Sequence, residues 1–86
     1  MDPEANLKMQ DEVFATAVRE NEILDIETLN ELREELLSWI RRGGFSPAWA
    51  NYPRAARDFS DWVQRTGNTL EYTVRRIMRE VSEACK

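Results

Sequence analysis

The side chains with most scope for chemistry lie close together near the C-terminal end, where Tyr72, Thr73, Arg75, Arg76 and Arg79 fall within eight residues. Guanidinium groups beside an aromatic ring offer a surface for phosphate contact and base stacking. Glu71, Glu80 and Glu83 each stand four residues from one of those arginines, so the same run also builds a salt-bridged outer helix face. Further back, Glu31, Glu34 and Glu35 place three carboxylates on successive helical turns. Clustered acids do acid–base work or hold a hard cation only with a low-dielectric pocket and further ligands, and nothing around them supplies either. Arg54 with Asp58, Arg57 with Asp61, and Asp61 with Arg65 are spaced four apart and read as local pairs on a solvated face. The chain has no histidine, which excludes Ser–His and Cys–His nucleophile pairs and His-ligated metals. Its one cysteine, Cys85, has no motif around it and reads as inert. The sequence therefore predicts no catalytic residue, no cofactor, no metal and no small-molecule substrate.

The segment from Phe59 to Val81 resembles a helix-turn-helix unit: a helix, a three-residue turn containing Gly67, then a helix with the run Thr73-Val74-Arg75-Arg76. The resemblance implies a sequence-specific DNA-binding regulator whose second helix enters the major groove. Thr69, Tyr72, Thr73 and Arg76 would then read bases, and Arg75 and Arg79 would contact phosphates. The chain departs from the motif where Asn68 follows the glycine and where the bulky pair Trp62-Val63 stands.

A second cluster is aromatic. Trp39, Phe45, Trp49 and Tyr52 gather around the Gly43-Gly44 and Ser46-Pro47 connection. Burying one whole aromatic side chain is worth roughly 2–3 kcal/mol, so these rings must either lid the core or anchor a partner. With Glu31, Glu34 and Glu35 they form the expected protein interface.

Four helices must position these groups. Asp2 caps the first, with Pro3 in its first turn. Leu7, Phe14, Ala17 and Val18 supply its apolar face, widened by Met9 and Val13, and the polar run Arg19–Glu22 ends it. Asp25 is the next cap, its neighbours Leu24 and Leu29 having the spacing of a hydrophobic staple, with a competing capping box at Thr28–Glu31. Leu29, Leu32, Leu36 and Ile40 make the stripe of this helix, and Gly43-Gly44 stops it. Ser46-Pro47 opens a short turn near residues 47–51. Pro53 starts a third helix that runs to about Arg65, with Tyr52, Ala55, Ala56, Phe59, Trp62 and Val63 facing inward and Thr66-Gly67 as its stop. Asn68 caps the last helix, whose stripe is Leu70, Val74, Ile77, Met78, Val81 and Ala84.

The reading is an all-α, four-helix bundle-like fold forming a single domain over residues 1–86. The totals fit: 86 residues, 42% hydrophobic, 33% charged, with three glycines and three prolines leave room for one modest core and few turns. Neither a signal sequence nor a membrane-length apolar run is legible, so a cytoplasmic protein without membrane contact is expected. Charge is uneven: residues 1–37 hold eleven acids and three bases, a net −8, and residues 38–86 hold nine bases and five acids, a net +4. That layout suits a non-catalytic interaction module, a small regulator, adaptor or inhibitor that self-associates into a homo-oligomer or docks on a larger, nucleic-acid-handling protein. DNA binding through the residues around 59–81 is the alternative.

Overall fold

A computed structural model describes residues 1–68 and 70–84, the side chain of residue 84 excepted. It is all-helical, with no strand among the described residues: α1 (Pro3–Arg19), α2 (Ile26–Arg41), a short 3-10 turn (Trp49–Asn51), α3 (Pro53–Arg65) and α4 (Glu71–Ala84). Among these residues no helix is long and apolar enough to cross a membrane. The chain divides into two compact units, residues 1–47 and 48–86.

The first unit is an antiparallel hairpin of α1 and α2. Asp2 accepts from the Glu4 and Ala5 N–H groups at 3.0 and 3.3 Å, which satisfies amides that have no helical partner. Asp25 wins over Thr28 as the cap of α2. Its carboxylate takes the Thr28 N–H at 3.1 Å and the Thr28 hydroxyl at 2.8 Å, and these bonds hold its pKa below the ordinary aspartate value. Leu7, Leu29, Leu32, Leu36 and Leu37 form the core.

The buried face of α1 differs from expectation. Asn6 and Gln10 lie inside with Leu7, while Met9 and Val18 are exposed. The Asn6 amide donates to the Leu32 carbonyl at 3.1 Å and accepts from the Gln10 amide at 2.7 Å. A partner on the facing helix makes burial of these polar groups tolerable. Met9 stands to one side of the buried face, and Val18, in line with Leu7, lies in the last turn of α1.

In the second unit the 3-10 turn packs against α3 and α4. Its core is Trp49, Ala55, Ala56, Phe59, Val63, Ile77 and Val81. Trp49 stacks on Phe59 with ring centroids 5.7 Å apart and planes 16° from parallel, a favourable offset arrangement. Tyr52 and Trp62, expected inside, are half-buried. Met78 is exposed, and Thr73 takes a buried place instead.

Three helices end in the same way. After α1, Asn21 takes a φ of 51°, and the Asn21 and Glu22 N–H groups close on the Val18 and Ala17 carbonyls. Gly43 with Gly44 does this after α2, and Gly67 with Asn68 after α3. This is the Schellman arrangement, in which one left-handed residue lets two amides satisfy helix-end carbonyls. α4 starts at Glu71, three residues after Asn68, the cap expected for it. The Asn68 N–H is committed to the Val63 carbonyl at 3.2 Å, so residue 68 belongs to the preceding stop.

These helix ends make two outcomes measurable. Asn21→Gly should raise stability by up to about 1 kcal/mol, and Gly43→Ala and Gly67→Ala should each lower it by about 1 kcal/mol, read from urea melts. Because the folded-state pKa of Asp25 is lowered, its contribution is complete above the unfolded value and fades as pH falls through the folded one. Thr28→Val should therefore return the Asp25 carboxyl toward the ordinary aspartate range in an NMR titration and shrink the stability lost below that range.

Candidate functional site

On α2 the residues of the apolar stripe point into the hairpin, which leaves the opposite face to Glu31, Glu34 and Glu35, all exposed. Together with Met1, Ser38 and Arg42 they line a shallow hollow of about 630 Å³. Arg33, on the same helix, is buried, and its guanidinium donates to the Asn30 side chain at 2.7 Å. The first unit carries eleven acids and five bases, a net −6, and the second seven bases and five acids, a net +2. The three glutamates thus sit in a strongly negative unit, where a basic surface would be attracted and an anionic one repelled.

The aromatic segment does not act as one surface. Trp49 is fully buried, so it is part of a core and unavailable as an anchor for a partner. Its indole N–H has no hydrogen-bond partner among the described residues, a cost of roughly 1–3 kcal/mol. Tyr52 is half-buried and immediately precedes α3. Within the first unit, Trp39 and Phe45 meet edge to face at 5.6 Å and 87°. The Trp39 indole N–H donates to the Phe45 carbonyl at 2.9 Å. A Cβ at Gly44 would overlap the Trp39 ring, so glycine is needed there for space. That clamp leaves Phe45 67% exposed, the most accessible ring of the set.

Of the expected DNA-reading residues, Tyr72, Arg75, Arg76 and Arg79 share one face of α4 by their helical spacing. Thr69 lies outside the described residues, and Thr73 is buried, which removes it from any groove contact. The Arg76 guanidinium pairs with Glu80 at 2.7 Å, and Arg75 faces Glu71 at 3.9 Å with both side chains solvated. Tyr72 and Arg79 are exposed. α3 ends at Arg65 and α4 starts at Glu71. Cys85 also lies outside the described residues. Among those residues, no group of three or more acids and thiols could hold a metal ion.

Sequence reasoning missed the exposed aliphatic residues at the turn between α1 and α2. Val18 is 74% exposed, Ile23 96% and Ile26 49%. The signal was present: Ile23 falls between a helix stop at Asn21 and a helix cap at Asp25, where no helix face can bury it.

Compared with protein-family models, curated proteins and solved structures, the chain matches none of them.

Replacing Trp49 tests its place in the core. Trp49→Phe keeps the stack on Phe59 and removes the unpaired N–H, so it should cost far less than Trp49→Ala, which should lose about 3–5 kcal/mol in urea denaturation. Equal losses would mean that packing of the ring on Phe59 is not what Trp49 contributes.

Proposed function

We propose that the chain is a non-catalytic protein–protein interaction module, a small cytoplasmic regulator or adaptor whose acidic face docks on a basic protein surface. The observation that carries this reading is the exposed trio Glu31, Glu34 and Glu35 on one side of α2, around a hollow with Met1 at its edge. Charge complementarity of this kind steers encounter and selects partners, and its strength falls with ionic strength. The clamped, exposed Phe45 of the same unit adds an aromatic contact held in place before binding, which lowers the ordering cost. A partner that handles nucleic acid fits, because its phosphate-binding surface is basic and an acidic helix occupying it would inhibit it. DNA binding by α4 has less support: with Thr73 buried and Arg76 tied to Glu80, Tyr72, Arg75 and Arg79 alone make a small contact set.

The test is calorimetric titration of the chain with an arginine-rich helical peptide at low and high salt. Binding should weaken at least tenfold as salt rises. It should drop by a similar factor in the Glu31→Gln, Glu34→Gln, Glu35→Gln variant, whose helicity should be unchanged because all three side chains are exposed. Binding that ignores both salt and the substitutions would overturn the reading.

A further inference from the structure

The acidic face of α2 borders an apolar groove. Along the seam of α1 and α2 runs a recess of about 340 Å³, with Met1, Met9 and Leu32 among its lining and the carboxylates of Asp2, Glu31 and Glu35 beside them. Among the described residues no lysine or arginine lines it, so the three carboxylates face only the Met1 amino group. The recess shares Met1, Glu31 and Glu35 with the hollow described above, where Arg42 is added.

Met1 and Met9 are 50% and 51% exposed, and they line one recess together rather than standing as isolated apolar residues. Grouped apolar surface of this kind, rimmed by polar groups, marks a place where something docks. Methionine is unbranched and polarisable, so it adapts to the side chain that enters. The floor is fixed: Asn6 and Leu32 both line the recess, and the Asn6 amide donates to the Leu32 carbonyl at 3.1 Å, which ties the two helices beneath it. A floor set before binding lowers the cost of ordering. A groove between two helices offers no free backbone edge. An extended partner would leave its own amides unpaired there, whereas a helix satisfies them internally.

We infer that the occupant is a basic amphipathic helix of a partner protein, its leucine-sized apolar edge seated beside Met1 and Met9 and its arginines or lysines facing Asp2, Glu31 and Glu35. Charge complementarity selects this chemistry, because an acidic or uncharged helix would cover the three carboxylates without supplying a counter-charge. The inference rests on the docking proposed for the acidic face. It adds that the partner's positive charge is joined by an apolar edge and that the contact extends from α2 onto α1.

The experiment is calorimetric titration of the whole chain with two helical peptides of equal charge. One carries arginines along one side and leucines along the other; the second has the leucines replaced by alanine. The leucine peptide should bind about tenfold more tightly, the worth of a few buried methylene groups. Met9→Gln should bring that ratio close to one, with helicity unchanged because Met9 is half exposed. In the wild type with methyl-labelled methionine, the NMR signals of Met1 and Met9 should shift on adding the leucine peptide, and that of Met78 on α4 should stay. Equal, salt-sensitive binding of the two peptides, weakened alike by the triple glutamate-to-glutamine substitution, overturns this inference and leaves the acidic docking standing. So does a leucine advantage that Met9→Gln leaves intact, or a shift confined to Met78. Failure of both peptides to bind overturns both readings.

Discussion

A helix in this chain ends by placing one residue in left-handed backbone, and the path of both hairpins depends on that step. Asn21, Gly43 and Gly67 carry it, with φ of 51°, 85° and 74°. Each lets the next amide reach back to a carbonyl five residues earlier, so the helix end is satisfied without borrowing a distant partner. The reversal after Asn21 returns α2 along α1. The reversal after Gly67 does the same for α4 along α3. After Gly43 the chain instead leaves its hairpin, and Trp39 closes over Gly44 to fix the exit. The stop at Asn21 is also what leaves Ile23 in a short loop with no core to enter.

The helical elements were largely legible because their signals are backbone properties that tertiary context rarely overrides. Pro53 and Gly67 bracket α3 in sequence, and the helix runs from Pro53 to Arg65. The short turn expected near residues 47–51 is the 3-10 turn Trp49–Asn51. Asp25 and Thr28 were both acceptable caps by residue type; the carboxylate accepts from both the amide and the hydroxyl of Thr28, which decides between them. At Asn68 one residue carries the type of a cap while its N–H closes the helix before it. A sequence pattern shows what a residue can accept but not which bond its amide has already made.

The candidate site was less legible, since periodicity identifies a face and not the partners available on it. Asn6 and Gln10 stand where apolar residues would be expected, and what makes them tolerable is the Leu32 carbonyl, 26 residues away from Asn6. That carbonyl also sets the direction of the relay. It can only accept, so Asn6 must turn its N–H₂ toward it and its oxygen toward the Gln10 amide. The Gln10 carbonyl oxygen then remains buried without a partner among the described residues. Trp49 shows the converse case: its aromatic character was read correctly as needing cover, and the cover is Phe59 within its own unit. Met78 belongs by spacing to the stripe of α4 but lies at its edge, and Thr73 is buried instead.

The apolar cores are built apart from most of the surface charge. The apolar core of each unit is built from its own aliphatic and aromatic residues, and exposed ion pairs such as Arg65 with Asp61 contribute weakly to stability. In the first unit eleven acids face five bases, so at least six carboxylates have no base of that unit left to neutralise them. Such an excess opposes compaction by self-repulsion. A basic surface that docks on the acidic face relieves this repulsion, adding a gain on binding that the free unit cannot obtain. The excess that weakens the hairpin is therefore the same property that would favour the proposed complex, and lowering it should shift both in opposite directions.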